Sequence, residues 1–216
     1  MTCIVGITDG KRIVMGADSA GSSPDSPEIY DTATSKLWST GEYVIGICGS
    51  YRAGQLARWE MSWPEIPPGL GPGPELESFM VREVVTCLRQ TLQSAAFTSP
   101  EERSRVAQFL VGARGQLFSI GGDFSAVSMA TPWMAIGSGR IAAYGAFHVL
   151  GGLDLELEDK ATRALAAAQA QTANVREPFH VLSAGPRSAF LPGPSDAPDG
   201  GEAVGLLGAR SDSSPD

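Results

Sequence analysis

Residues Thr2 to Ala20 read TCIVGITDGKRIVMGADSA, and the way this stretch pairs with itself sets the architecture of the chain. Apolar residues flank Asp9-Gly10, a pair that supplies the φ > 0 positions of a type I′ turn and so predicts a β-hairpin. Pairing Thr8 with Lys11 opposes Thr2 to Ala17 and sets Asp18 diagonally beside the start of the first strand. Side-chain parity puts Asp18 and Thr2 on different faces of an ideal sheet. Contact between them therefore requires twist or a bend at the strand end.

Outward from the hairpin, strands are expected at 34–39 and 43–48 around a Gly41 turn. A helix over 51–63 follows, with Ala53, Leu56, Ala57 and Met61 near one face. The stretch PEIPPGLGPGP, residues 64–74, ends it, because proline removes backbone donors and glycine raises backbone entropy. Val81, Val84, Val85, Leu88 and Leu92 repeat at helical spacing and predict a second helix over 75–96. Strands return at 108–113 and 116–120 around Arg114-Gly115, then near 126–129 and 133–136. GSGR opens a helix over 140–150, another covers 155–173, and a last strand is expected at 179–183. Strands, two helices, strands, two helices and a strand make an α+β chain. Two sheets that each bury one face under a helical pair would form a four-layer αββα sandwich. Residues 1–184 are expected to form the single domain. Residues 185–216, dominated by proline, glycine, serine and aspartate, read as a disordered tail.

Composition narrows the function classes. The chain has 216 residues, 43% of them hydrophobic and 19% charged, the balance of a globular domain with a substantial core. Sixteen basic against twenty-four acidic residues leave a net charge of −8, which argues against nucleic acid or an anionic membrane as the main partner. Cys3, Cys48 and Cys87 show neither paired nor metal-ligand spacing, so a reducing cytoplasm is the expected location. No export signal or bilayer-length apolar run is visible. His148 and His180 pair with no carboxylate cluster and read as structural, so no metal or cofactor is expected.

Four pieces, in order, carry a family resemblance: the opening hairpin TCIVGITDGKRIVMGADSA, then SKLW, then VIGICGS, then AIGSGR before a helix. Together they resemble the proteasome β-subunit family of N-terminal nucleophile hydrolases, with a closer likeness to its bacterial homo-oligomeric members that work beside an unfoldase. The likeness runs from Thr2 to about Ser183. It implies a threonine-type peptidase that cuts unfolded polypeptide inside a ring or related homo-oligomer, and it admits an ATP-dependent unfoldase as partner. With no propeptide before Thr2, activation is expected to depend on removal of Met1.

The residue types suit that chemistry. A threonine hydroxyl is a poor nucleophile at neutral pH and needs a base within reach. The α-amine freed on loss of Met1, with a reference pKa of about 7.7–8.0, can be that base directly or through a water. By resemblance, Asp18 and Lys36 are the family's buried acid–base pair, the carboxylate keeping the ammonium charged. Ser138 matches the serine that hydrogen-bonds the terminal amine. Gly49 and Ser50 match the turn that offers a backbone N–H to the oxyanion, although GSY stands where paired glycines are frequent. Taken singly, each residue has a plainer reading: a turn cap for Asp18, a solvated strand residue for Lys36, turn chemistry for Ser138. Cys3 becomes terminal only if Thr2 is also lost, and reads as a half-buried strand cysteine. The segment between Asp18 and Lys36 is longer and more polar than the family pattern. Gln171, Thr172 and Asn174 stand where the family supplies further polar groups, and those roles are not carried across. Two other functions stay open: an amidase acting on a small-molecule amide, and a catalytically silent scaffold that keeps Met1.

Overall fold

The computed structural model describes residues 2–22, 28–95 and 107–185. The chain is a mixed α and β fold. The opening hairpin consists of β1 (Cys3–Thr8) and β2 (Ile13–Ala17). It is followed by a ribbon of β3 (Ala20–Ser22) and β4 (Ile29–Asp31), then by β5 (Leu37–Thr40) and β6 (Tyr43–Cys48). Helix α1 (Tyr51–Trp59) precedes α2 (Pro74–Phe79), a π-helical turn (Met80–Val84) and α3 (Val85–Ser94). The second half holds β7 (Gln108–Ala113), β8 (Gln116–Ile120), β9 (Ala126–Ser128) and β10 (Trp133–Gly137). Helices α4 (Arg140–Leu150) and α5 (Leu157–Gln171) and strand β11 (His180–Ala184) complete it.

The strands form a four-stranded sheet in the order β10-β1-β2-β11, a five-stranded sheet in the order β5-β6-β7-β8-β9, and the separate β3-β4 ribbon. Strand parity divides the buried side chains among three clusters. Ile4, Ile13, Met15 and Ala17 of the first sheet pack with Leu37, Val44, Leu110 and Leu117 of the second. Their neighbours Cys3, Val5, Ile7 and Val14 point the other way, onto Ala143, Phe147, Ala164 and Leu165 of α4 and α5. Trp38, Ile45 and Val111 likewise face Leu56, Met80 and Leu88 of the α1–α3 region. Burying both faces of β1 and β2 is why this hairpin is apolar at successive positions as well as alternating ones.

The hairpin register differs from the expected one. Thr8 pairs with Ile13 and Ile4 with Ala17, so the turn spans four residues rather than two. The reason is Asp9: its Oδ1 accepts the Lys11 and Arg12 N–H groups at 2.8 and 2.7 Å, building a wider turn in which only Gly10 takes a positive φ, +86°. Cys3 consequently lies beside Asp18, and Asp18 N–H donates to Cys3 O at 3.3 Å.

Other differences are local. The 51–63 helix stops at Trp59, ahead of Pro64, which disfavours helical backbone at the residue before it, and Trp63 donates its indole N–H to Ala57 O at 2.8 Å. The 75–96 helix is present from Pro74 to Ser94 with a π turn inside it. The 34–39 strand begins at Leu37, because Ser35 Oγ accepts the Leu37 N–H at 3.1 Å and turns the chain there. The β3-β4 ribbon was not foreseen in a segment that reads as a polar connection; Gly21 leaves the space that the Tyr30 ring fills. The tail expected over 185–216 lies outside the described residues, apart from Gly185. Among the described residues, no helix is long and apolar enough to cross a membrane.

Candidate active site

Thr2 occupies the residue just before β1, between the ends of β10 and β2. Its parity matches that of Ile4, so its side chain belongs to the side of the sheet that faces the second sheet, and it is only 7% exposed. The turn after β10 wraps its backbone. Thr2 N–H donates to Ser138 Oγ at 3.3 Å, while Ser138 Oγ–H and Gly139 N–H donate to Thr2 O at 3.3 and 3.4 Å. Gly137 makes that approach possible: its φ is +89°, and a Cβ there would collide with Thr2 O.

Asp18 stands one residue past the end of β2, where the chain leaves the regular pleat. That bend lets a residue of the wrong parity turn its carboxylate toward the start of β1. Oδ1 accepts Cys3 N–H at 2.9 Å and Lys36 Nζ–H at 2.8 Å, and Oδ2 accepts Ala20 N–H at 3.1 Å. Lys36, immediately before β5, also donates to Ala20 O at 2.7 Å. The pair is removed from solvent, with side-chain exposures of 4% for Lys36 and 0% for Asp18. Burial lowers the Lys36 pKa from its ordinary 10.5, and the Asp18 charge and hydrogen bond oppose that shift. A charged lysine here depends on its partner.

Gly49, with φ +95°, links β6 to Ser50, the N-cap of α1, whose Oγ accepts the Ala53 N–H at 3.3 Å. The N–H groups of Gly49 and Ser50 have no acceptor among the described residues. Thr2, Lys36, Gly49 and Ser50 all border one cavity of about 440 Å³. Residues 30–36 form one wall, and α1 forms the other through Tyr51, Gln55 and Arg58. Trp38 and Ile47 line it from the sheet. The structure thus brings together Thr2, Asp18, Lys36 and Ser138 at one end of a cleft, with Gly49 and Ser50 on its rim.

Cys3 is fully buried rather than half-buried, facing the α4–α5 side. Burial, reinforced by the Asp18 charge, pushes its thiol up to about 12, so it is a neutral packing group beside the terminus. His148 is exposed on α4 and His180 lies on β11 opposite Ala17. Among the described residues, no group of three His, Cys, Asp or Glu side chains could hold a metal. The cavity wall on α1 escaped the sequence reading. Its signal was there in Tyr51, Gln55 and Arg58, spaced at i, i+4 and i+7 on the face opposite to Ala53, Leu56 and Ala57.

No protein-family model matches the sequence, and no curated protein matches it either. Solved structures do match. BPH of Thiobacillus denitrificans, in complex with epoxomicin, superposes with a TM-score of 0.70 at 18% identity, over 85% of this chain and 98% of that one. Eukaryotic HslV from Trypanosoma brucei gives 0.60 at 20% identity, over 85% and 99% of the two chains. Anbu, an ancestral β-subunit, from Yersinia bercovieri gives 0.58 at 15% identity, over 85% and 81%. At these identities the likeness is one of fold, and it spans nearly the whole of the BPH and HslV chains and about four fifths of the Anbu chain. The chain carries the fold of the proteasome β-subunit-like N-terminal nucleophile hydrolases.

Proposed function

We propose that the protein is a threonine-type peptidase that uses Thr2 as its N-terminal nucleophile to cut unfolded polypeptides. The observation that carries this reading is the convergence of three things on Thr2: the buried Asp18–Lys36 pair, the Ser138 hydroxyl on its backbone N–H, and a cleft large enough for a peptide segment. A solvated strand lysine would have no reason to be 5% exposed, nor would a turn-capping aspartate need to be wholly buried.

In this reading, removal of Met1 frees the α-amine next to Ser138. Thr2 Oγ1 attacks the substrate carbonyl carbon while the amine, directly or through water, takes the hydroxyl proton. The C–N bond breaks, the ammonium returns that proton to the leaving amine, and an ester joins Thr2 Oγ1 to the acyl half. Water, deprotonated by the same amine, then hydrolyses the ester and restores the hydroxyl. The Lys36 charge favours the neutral amine, and Asp18 holds Lys36 protonated. The backbone N–H groups of Gly49 and Ser50 would serve the oxyanion, a role that requires no particular side chain at residue 50.

The three clusters of the core fit helix, sheet, sheet and helix layers in that order, the four-layer αββα sandwich, with 1–184 as the domain and 185–216 as a tail. Assembly into a homo-oligomeric ring, fed by an unfoldase, belongs to the same proposal and rests on the kinship of fold with HslV and BPH. Confinement in a ring would keep such a nucleophile from folded proteins.

Intact mass before and after incubation with epoxomicin, the compound held by the BPH structure, tests the reading, with Thr2→Ala as control. Loss of Met1 together with an adduct that disappears in Thr2→Ala is the expected result. Protein exposed to methionine aminopeptidase that keeps Met1 and takes no adduct would overturn it in favour of a silent scaffold.

A further inference from the structure

Helix α4 presents two faces. Ala143, Phe147 and Leu150 are buried in the core beneath it. On the opposite side Ile141, Gly145 and Val149 follow one another at i, i+4 and i+8. Ile141 is 75% exposed and Val149 67%, more than any other exposed large hydrophobic residue among those described. Leu153, in the turn after the helix, is exposed as well. Residues 141–153 contain no Asp, Glu, Lys or Arg, and charge returns at Arg140 on one side and Asp154 on the other. The outward face of a surface helix is ordinarily charged or polar, and a contiguous exposed apolar row marks a place where something docks.

Gly145 stands in the middle of that row without a reason inside the chain. It takes no positive φ, and a Cβ there would meet nothing within 4 Å. Glycine is nonetheless one of the least favourable residues for a helix interior. The gap it leaves admits a side chain from another molecule. The charges at the two ends are open to one as well. Arg140 Nη1–H donates to Gly137 O at 3.0 Å, but neither Arg140 nor Asp154 has an ion-pair partner among the described residues.

We propose that this face of α4 binds a second copy of the chain in an antiparallel two-fold contact, an inference independent of the peptidase reading. Setting Arg140 against Asp154 of the second copy brings Ile141 opposite its Leu153 and Gly145 opposite its Val149, because each pair is spaced evenly about the middle of the segment. Val149 then enters the gap at Gly145, opposite charges meet at both ends, and the helix dipoles run antiparallel. Elsewhere two copies of net charge −8 repel each other, so an uncharged face with complementary ends is where they can meet. Neighbours in a ring touch through two different patches, whereas this contact uses one patch twice and joins copies in pairs. None of its residues borders the cavity beside Thr2, so pairing leaves the cleft open.

Sedimentation equilibrium of the full-length protein tests the contact. The wild type is expected at an even multiple of the chain mass and Val149→Asp at half the wild-type mass. Gly145→Leu, which nothing inside the chain opposes, should have the same effect. Arg140→Glu and Asp154→Arg should each weaken pairing about tenfold to a hundredfold, because the two-fold axis makes every contact twice and each reversal sets like charges together. Combining the two reversals should restore pairing, an outcome that a merely structural role for either residue would not produce. A monomeric wild type, an odd number of copies, a mass unmoved by Val149→Asp, or a double reversal that stays unpaired would overturn the proposal. All four positions are exposed, so the variants keep the fold, and the restored pairing of the double reversal proves it. Labelling of Val149→Asp by epoxomicin, read by mass, reports on the peptidase reading alone, so either idea can fail without the other.

Discussion

Replacing Asp18 by asparagine should be among the costliest single changes to this fold. The carboxylate accepts three hydrogen bonds, from Cys3 N–H and Lys36 Nζ–H at Oδ1 and from Ala20 N–H at Oδ2, and it is inaccessible to water. Asparagine keeps one acceptor oxygen and turns an NH₂ toward a donor, so at least one backbone N–H loses its partner. Lys36 loses the anion that holds it protonated, so it must either bear an unbalanced charge away from water or give up its proton. Breaking a buried pair by removing one member costs about 3–5 kcal/mol. For a domain of this size each kcal/mol moves Tm by about 2–4 °C, so a fall of about 6–20 °C is expected. Urea denaturation with an unchanged m-value, backed by calorimetry, measures the loss. Lys36→Met and the double variant complete a cycle, and the double variant should be markedly less destabilised than the sum of the singles, because it buries no lone charge. An Asp18→Asn cost under about 1 kcal/mol, or an additive cycle, would refute the claim that the two groups form a buried, mutually dependent pair.

Lys36 also fixes a sign. Its folded pKa is lowered below the unfolded 10.5, so between those two values the unfolded chain holds more protons and stability must rise with pH. Compared with Lys36→Met, the wild type should therefore gain relative stability as pH climbs toward 10.5, which denaturation at stepped pH can check. Gly46→Ala would set a Cβ 2.5 Å from Ile4 Cγ2 and 2.9 Å from Leu37 Cδ2 between the two sheets. The overpacking should cost about 1–3 kcal/mol, read by denaturation, and a neutral result would mean the sheets can separate there. With Cys3 near 12 and Cys48 near 11, thiol reagents at pH 8 should modify only Cys87 quickly in the native protein. Mass mapping of the first label checks this, and early labelling of Cys3 would contradict its burial.

Much of the architecture was legible because periodicity is a local property. The helix over 140–150 and the strand over 116–120 are present with the bounds their apolar spacing predicts. What sequence could not reach were outcomes of competition between local options. Asp9-Gly10 has the composition of a two-residue turn, yet the Asp9 carboxylate offers two N–H groups a better acceptor, and the register moves accordingly. The β3-β4 ribbon depends on the Tyr30 ring finding the gap at Gly21, a fit between residues that no periodic pattern announces.

The register shift also explains how the cluster around Thr2 can exist. Strand parity alone separates Asp18 from Thr2, and with β2 ending at Ala17 the next residue is free to leave the pleat. Because Cys3, rather than Thr2, is the residue beside Asp18, the carboxylate meets the Cys3 N–H, which belongs to the peptide group that follows Thr2. Asp18 thereby orders the terminus through its backbone. Lys36 then enters from the second sheet, on the side that Thr2 faces. A two-residue I′ turn would have opposed Thr2 to Ala17 and carried Asp18 past the end of β1, beyond the Cys3 N–H. The four-residue turn at Asp9 and the buried pair at Asp18 are thus one feature read at the two ends of the same hairpin, and a variant that tightens the turn should disturb Lys36 from the far end of the strands.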